Sequence, residues 1–282
     1  MNDKQFNELS SAFYDKVAEK YAKQPKVDYE KLKYDLVQWI RNTVERTLPG
    51  ATVIIGMSGG KDSTVVAKLL SEALGSDRVF GLIMPNGFQA DTDDAQEACE
   101  VAGIDYRTLN IGDIYSDAVT QIFGMYDNNN AKIKTNLPSR LRMAMLYAFA
   151  AQHNDGNCLV VNTSNFAEKL MGYGTLWGDT VGDFSPLGAL MVNDVISLGY
   201  VMDIPSHLLI KAPADGMTGK TDEEVLGFTY DEVEYVYDNL YNRDVVKTEN
   251  YDKIRDRMYN MQWKQELIQL PTFTFVKNDY II

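Results

Sequence analysis

The six residues Ser58-Gly-Gly-Lys-Asp-Ser63 combine the groups needed to hold a chain of phosphates. Gly59 and Gly60 let backbone N–H groups approach anionic oxygens, Ser58 and Ser63 add hydroxyl donors, and Lys61 adds positive charge. Their place in the chain matters as much as their types. The β-rich apolar run Thr52–Gly56 reads as a buried parallel strand. Asp62–Leu74, with Val65, Val66, Leu69, Leu70 and Ala73 on one side, reads as a helix. The carboxyl end of such a strand, facing a helix N-terminus, is where open α/β sheets bind phosphates. The competing explanation is a plain strand–helix turn, where paired glycines are common. The segment is not a Walker A loop, because Ile55 stands at its first glycine and Asp62 follows the lysine. A carboxylate beside phosphates is unfavourable unless a divalent cation intervenes, so Asp62 implies Mg²⁺.

The flanking elements must position this loop. Residues 1–50 are expected to be helical, with Leu32, Leu36, Trp39, Ile40, Val44 and Leu48 forming one apolar stripe that ends at Pro49-Gly50. After the loop the cycle repeats. Strands are predicted at Val79–Met84, Tyr106–Ile111 and Cys158–Asn162, and helices at Asp91–Gly103, Asp113–Phe123 and Leu137–Gln152. An Asn-rich loop, Tyr126–Asn130, interrupts before the last helix. This alternation predicts a Rossmann-like, doubly wound parallel α/β sheet of about five strands with helices on both faces. Further on, Gly172–Asp183 carries four glycines and is expected to be a mobile loop, and Pro213–Lys220 a second loop. Thr221–Glu224 and Thr229–Glu232 fit capping boxes, and the tail from Val233 reads as helical. With neither repeat nor linker, one domain over 1–282 is expected: N-terminal helices (1–50), a phosphate-handling core (51–212), and a lid loop with C-terminal helices (213–282).

Composition narrows the partners. A formal net charge of −13 repels a phosphate backbone, so no nucleic-acid footprint is expected. No apolar run is long enough to span a bilayer and the start is polar, which predicts a cytoplasmic protein with no membrane partner. Cys99 and Cys158 lack metal-site spacing, and His153 and His207 are the only histidines, so zinc and iron–sulfur chemistry are unsupported.

Beyond the physics, SGGxDS after a strand resembles the pyrophosphate loop of the N-type ATP pyrophosphatases, which form adenylates. From about residue 35 to 235 the chain is similar to one branch of them, the ammonia-dependent NAD synthetases. The resemblance is carried by Met84–Gln96, by Asn136-Leu-Pro-Ser-Arg-Leu-Arg-Met143, by Asn162–Tyr173, by Gly178–Leu187 and by Gly219–Gly227, in that order. It implies ATP contacts at Gly56, Ser58, Gly59, Gly60, Lys61, Asp62, Ser63 and Thr163, with Lys61 also catalytic. It implies Mg²⁺ shared by Asp62 and Glu168, and deamido-NAD contacts at Arg140, Asp179 and Asp183. It also implies a homodimer. Without it, Glu168 would pass for a surface residue at a helix start, and Thr163 for a helix N-cap. Arg142, two residues from Arg140, projects differently and serves either ligand or an internal ion pair. Two cations common in that family are replaced, by Ile83 where adenine is stacked and by Val192 in the phosphate site; Lys61 and Lys220 could restore charge.

The implied reaction has two steps. The nicotinate carboxylate of deamido-NAD attacks the α-phosphorus of ATP and releases pyrophosphate, and ammonia then displaces AMP to give NAD. Ammonium must lose a proton before it attacks, a task the resemblance gives to Asp179. Residues 172–185 and 213–228 are expected to form a lid that excludes water. Cys99 lies in an acidic helix that disfavours a thiolate, so free ammonia or a separate supplier is the expected nitrogen source. Two alternatives stand beside this: a tRNA-modifying enzyme with the same loop, and a catalytically silent nucleotide-binding regulator.

Overall fold

The computed structural model describes residues 27–89, 92–125, 132–210, 221–243 and 245–281. The predicted helices before residue 27, the loop Tyr126–Asn130, and Pro213–Lys220 with Lys220 lie outside these residues.

The first helix, α1 (Tyr29–Thr47), starts at Asp28, whose side chain accepts from the N–H of Lys31. It buries Leu32, Leu36, Ile40 and Val44 of the apolar stripe read from the sequence, together with Val37, while Trp39 and Leu48 are only partly buried against the core. The pattern then becomes β1 (Thr52–Met57), α2 (Lys61–Leu74), β2 (Val79–Ile83), α3 (Thr92–Ala102), β3 (Asp105–Thr108), α4 (Gly112–Phe123), α5 (Lys132–Gln152) and β4 (Cys158–Val160). All pairings are parallel, in the order β3-β2-β1-β4. Val53 lies opposite Val79, and Thr52 opposite Cys158.

The alternation within β1 builds a core on each face of the sheet. Val53, Ile55 and Met57 join Leu36, Val65, Leu69 and Cys99 on one side. Ile54 joins Leu82, Met143, Leu146 and Val160 on the other, beneath α5. A further cluster gathers α6 (Phe166–Met171), α9 (Asp222–Leu226), α10 (Tyr230–Asp238) and α11 (Tyr251–Leu267) around Met171, Val233, Tyr251 and Ile254. Between these lie α7 (Val192–Val201) and α8 (Ser206–Ile210). Both expected capping boxes are present, at Thr221 with Glu224 and Thr229 with Glu232.

Three sequence expectations shift. The sheet has four strands among the described residues, not about five. The fifth survives only as parallel bridges, Val161 to Phe184 and Ser185 to Thr272. Strand β3 stops at Thr108, short of the predicted Ile111, because Asn110 turns the chain: its side-chain oxygen accepts from the N–H groups of Gly87 and Gly112. Helix α5 begins at Lys132, ahead of the predicted Leu137, and carries Pro138 inside it, past the first turn. Meanwhile α4 buries none of its residues against the described chain.

Candidate active site

The loop Ser58–Ser63 leaves β1 and enters α2 directly, with Gly60 at the N-cap. Gly59 has φ +76, and a Cβ there would sit 2.7 Å from the backbone nitrogen of Ala95, so only glycine lets the loop lie this close to α3. Inside the loop the Ser58 and Ser63 hydroxyls are 3.1 Å apart, and the Ser63 and Thr64 hydroxyls both donate to the Gly60 carbonyl. Gly56 lies one turn of strand earlier, packed under Leu146. The first N–H groups of α2 thus lie at the carboxyl end of β1, an anion site in form.

Lys61 is buried, and its ammonium donates to Asp62 Oδ2 at 2.9 Å. Burial pulls its pKa down, but the carboxylates of Asp62, Glu168 and Asp222 outweigh this and raise it, so Lys61 stays charged. Asp62 Oδ1 accepts from the side-chain amide of Asn165 at 3.0 Å. Asn165 is fully buried and caps α6 through a reciprocal box with Glu168: the Glu168 N–H donates to Asn165 Oδ1 at 3.0 Å, and the Asn165 N–H donates to Glu168 Oε2 at 3.3 Å. The N-cap is therefore Asn165 and not Thr163, which lies two residues earlier, just beyond β4. Sequence reasoning missed Asn165, although Asn-x-x-Glu at residues 165–168 is the spacing of a capping box.

Glu168 ends beside Asp62, with Asp222 and Asp179 contributing at longer range. Burial and then the Asp62 charge push its carboxyl well above the usual range. Such crowding of hard oxygen donors suits a divalent cation. Among the described residues no group of three or more His, Cys, Asp or Glu could hold a metal by itself. The pair therefore fits a Mg²⁺ that takes its remaining ligands from phosphates and water, which is how that ion usually binds.

The glycine-rich segment 172–183 is held on two sides. From α5, Asn136, Ser139 and Arg140 reach it, three residues whose spacing puts them on one helix face. Asn136 Oδ1 accepts from the Thr175 hydroxyl at 3.2 Å, and Arg140 Nε donates to the Leu176 carbonyl at 3.1 Å. The Ser139 hydroxyl donates to Asp179 Oδ1 and accepts from the Asp179 N–H at 2.9 Å. A Cβ on Gly178 would meet Ser139 Oγ at 2.3 Å. From α11, Arg257 donates to the Met171 carbonyl, and Lys264 to those of Gly172 and Gly174, each at 2.8 Å. The expected mobile loop is instead tied down, and its glycines serve close packing. Asp179 itself is exposed, its Oδ1 also accepting from the Thr175 N–H at 2.9 Å.

Other singled-out residues sort by their partners. Asp183 uses both oxygens internally, accepting from Tyr147 Oη at 3.0 Å and the Val160 N–H at 2.7 Å. Arg142 turns away from the Asn136–Arg140 face and donates to the Met84 carbonyl and to Gln89. Ile83 is buried in the core and Val192 packs against the α6–α11 cluster, so both apolar replacements fill space. Burial, with Glu100, pushes the Cys99 thiol up to about 12, and burial also raises Cys158, so neither offers a nucleophilic thiolate near neutrality.

Known proteins resemble the chain over most of its length. A family model described as NAD synthase matches residues 32–270. The NH(3)-dependent NAD(+) synthetase of Thermococcus sibiricus is 38% identical over 213 residues, covering 74% of this chain and 81% of that protein. The enzyme of the same description from Archaeoglobus fulgidus is 32% identical and covers 86% and 96%. Among solved structures, an NMN synthetase from Francisella tularensis superposes with a TM-score of 0.75 at 32% identity, covering 88% of this chain and 100% of that one. An NH3-dependent NAD synthetase from Campylobacter jejuni gives a TM-score of 0.70 at 25% identity, with coverage of 88% and 100%.

Proposed function

The chain belongs to the NAD synthase family, and from that premise we propose that it amidates deamido-NAD with ammonia, splitting ATP to AMP and pyrophosphate. The observation that carries this is the meeting of three parts at one sheet edge. These are the N–H groups of α2, the Asp62–Glu168 carboxylate pair, and the turn that displays Asp179.

ATP lies with its phosphates on Ser58–Ser63, contacting Gly56, Ser58, Gly59, Gly60, Lys61, Asp62, Ser63 and Thr163. Asp62 and Glu168 would hold Mg²⁺, which neutralises phosphate charge when bound. Lys61, kept protonated by its carboxylate neighbours, stabilises charge that develops at the α-phosphate. The substrate carboxylate attacks the α-phosphorus, the bond to the β-phosphate breaks, and pyrophosphate leaves. Arg140 holds the pyridine nucleotide, and Asp179 takes a proton from ammonium, whose nitrogen then bonds to the acyl carbon as AMP departs. Asp183 acts through position, fixing the end of the glycine-rich segment to β4. Burial of both thiols favours free ammonia over glutamine as the nitrogen donor.

The whole chain is taken to work as one synthetase unit in the cytoplasm, and as a homodimer. No described helix is long and apolar enough to cross a membrane. Support for the dimer comes from α4, whose Ile114 and Ile122 stay exposed and form an apolar face that a second copy would cover. Light scattering at micromolar protein reads twice the chain mass if this holds, and the 31.8 kDa monomer mass if it does not.

The assay supplies ATP, Mg²⁺, ammonium and deamido-NAD, and follows NAD, AMP and pyrophosphate. Equal amounts of the three products are expected; ATP binding without NAD would leave the silent regulator as the better reading. A second substrate earns a parallel tube, because one similar structure is an NMN synthetase. If nicotinic acid mononucleotide is amidated faster than the dinucleotide, the smaller acid is the substrate.

A further inference from the structure

Trp177 is held in the left-handed region, at φ +63, and 55% of its surface is exposed. A bulky aromatic residue at positive φ is uncommon and costs free energy relative to glycine. Packing does not repay that cost here, because more than half of the side chain faces solvent. The strain persists because the turn is fixed on both sides of it. Arg140 Nε holds the Leu176 carbonyl, the Gly178 N–H donates to the Thr175 carbonyl at 2.9 Å, and Ser139 holds Asp179. Gly178, pressed against Ser139, leaves the turn no room to relax. Residue 177 is therefore held exposed between Leu176, whose carbonyl Arg140 grips, and Asp179.

We propose that Trp177 is a specificity-determining residue whose indole provides a stacking face for a planar heteroaromatic ring of the pyridine nucleotide substrate. The inference rests on the reaction proposed above and adds a recognition element to it. Its chemistry suits the place. Beside the exposed indole are a carboxylate of the same turn (Asp179) and, bonded to the turn from α5, a guanidinium whose outer nitrogens have no described partner (Arg140). Charged donors select phosphate, and a rigid aromatic surface selects a flat ring without regard to its hydrogen-bonding edges. Two rings qualify: the pyridine, present in both mononucleotide and dinucleotide acids, and the adenine, present in the dinucleotide alone.

Two experiments decide it. The first measures KM and kcat for Trp177→Ala, Trp177→Gly and Trp177→Phe with each acid. Loss of one stacked ring is expected to raise KM by about tenfold in the Ala and Gly variants. kcat and the KM for ATP should stay near wild type, and Phe should restore most of the affinity. A rise with both acids identifies the pyridine, and a rise with the dinucleotide alone identifies the adenine. The second uses Trp39→Phe/Trp263→Phe, which leaves Trp177 as the only tryptophan, and titrates its fluorescence with each acid. Saturable quenching is expected and needs no turnover, so the stacking role is tested even if the proposed reaction fails. The proposal is overturned if KM stays within about twofold in every variant and no quenching occurs. Trp177→Gly would then only melt higher, by about 2 °C from relief of strain.

Discussion

Two glycine-bearing segments face each other across this site, and they use glycine for opposite ends. In Ser58–Ser63 the glycines clear space for something outside the chain: they open a helix N-terminus and let the loop lie flat on α3. In 172–183 they clear space for the chain itself, so that α5 and α11 can grip the turn that carries Asp179. Glycine content alone cannot separate the two cases. What separates them is whether the tight contact is made by protein atoms already present.

The largest test of that contrast is Asp62→Asn. It keeps the side-chain shape and should leave the fold unchanged by circular dichroism. Mg²⁺-dependent turnover should fall by roughly 100-fold or more, the scale of losing a charge that holds the metal and nucleotide in place. Full activity would detach the metal from the phosphate loop. Next comes Gly178→Ala, whose methyl would collide with Ser139 Oγ and displace Asp179. We expect kcat to drop about tenfold while the KM for ATP holds. Adding Ser139→Ala removes the collision, so the double variant should recover part of the loss, and strict additivity would count against this packing account. Ser139→Ala alone removes both hydrogen bonds to Asp179 and should cost several-fold in kcat, with little change in melting temperature.

The smallest effect concerns Lys169, beside Glu168. Burial lowers its pKa to about 8, against 10.5 normally. Between those values the unfolded chain binds more protons than the folded one, so stability rises with pH across that window. The melting temperature should climb by about 2 °C from pH 7.5 to 9.5, and Lys169→Met should abolish the climb. A melting temperature that falls equally in both proteins would place the cause elsewhere.

The sequence made the phosphate loop legible because its parts are contiguous: strand, glycines, lysine, carboxylate and helix follow one another within a dozen residues. The covering of the sheet on both faces was legible for the same reason, since the unbroken apolar run of β1 marks a strand buried on both sides. The second half of the site was harder to read. Asn136, Ser139 and Arg140 share a helix face, a spacing that was visible, but what they grip lies some 40 residues later. Lys264 acts on carbonyls about 90 residues earlier, and main-chain carbonyls leave no mark in a sequence. The missing fifth strand has a similar cause: residues 184–185 pair only at isolated bridges, too few to set a local pattern.

The grip of α11 on the start of the glycine-rich segment also sets an order of events in the life of the polypeptide. Every strand and the whole Ser58–Ser63 loop precede residue 161, yet the segment leading into the turn gains its second hold only when Arg257 and Lys264 have emerged from the ribosome. A chain cut by a protease ahead of residue 251 would keep Ser58–Ser63 and the α5 contacts to Asp179, and lose both the hold on Met171–Gly174 and the packing beneath α6, which carries Glu168. Such a fragment would carry the phosphate loop without firm support for its metal carboxylate, and the last long helix thereby works as a seal of completeness on the enzyme.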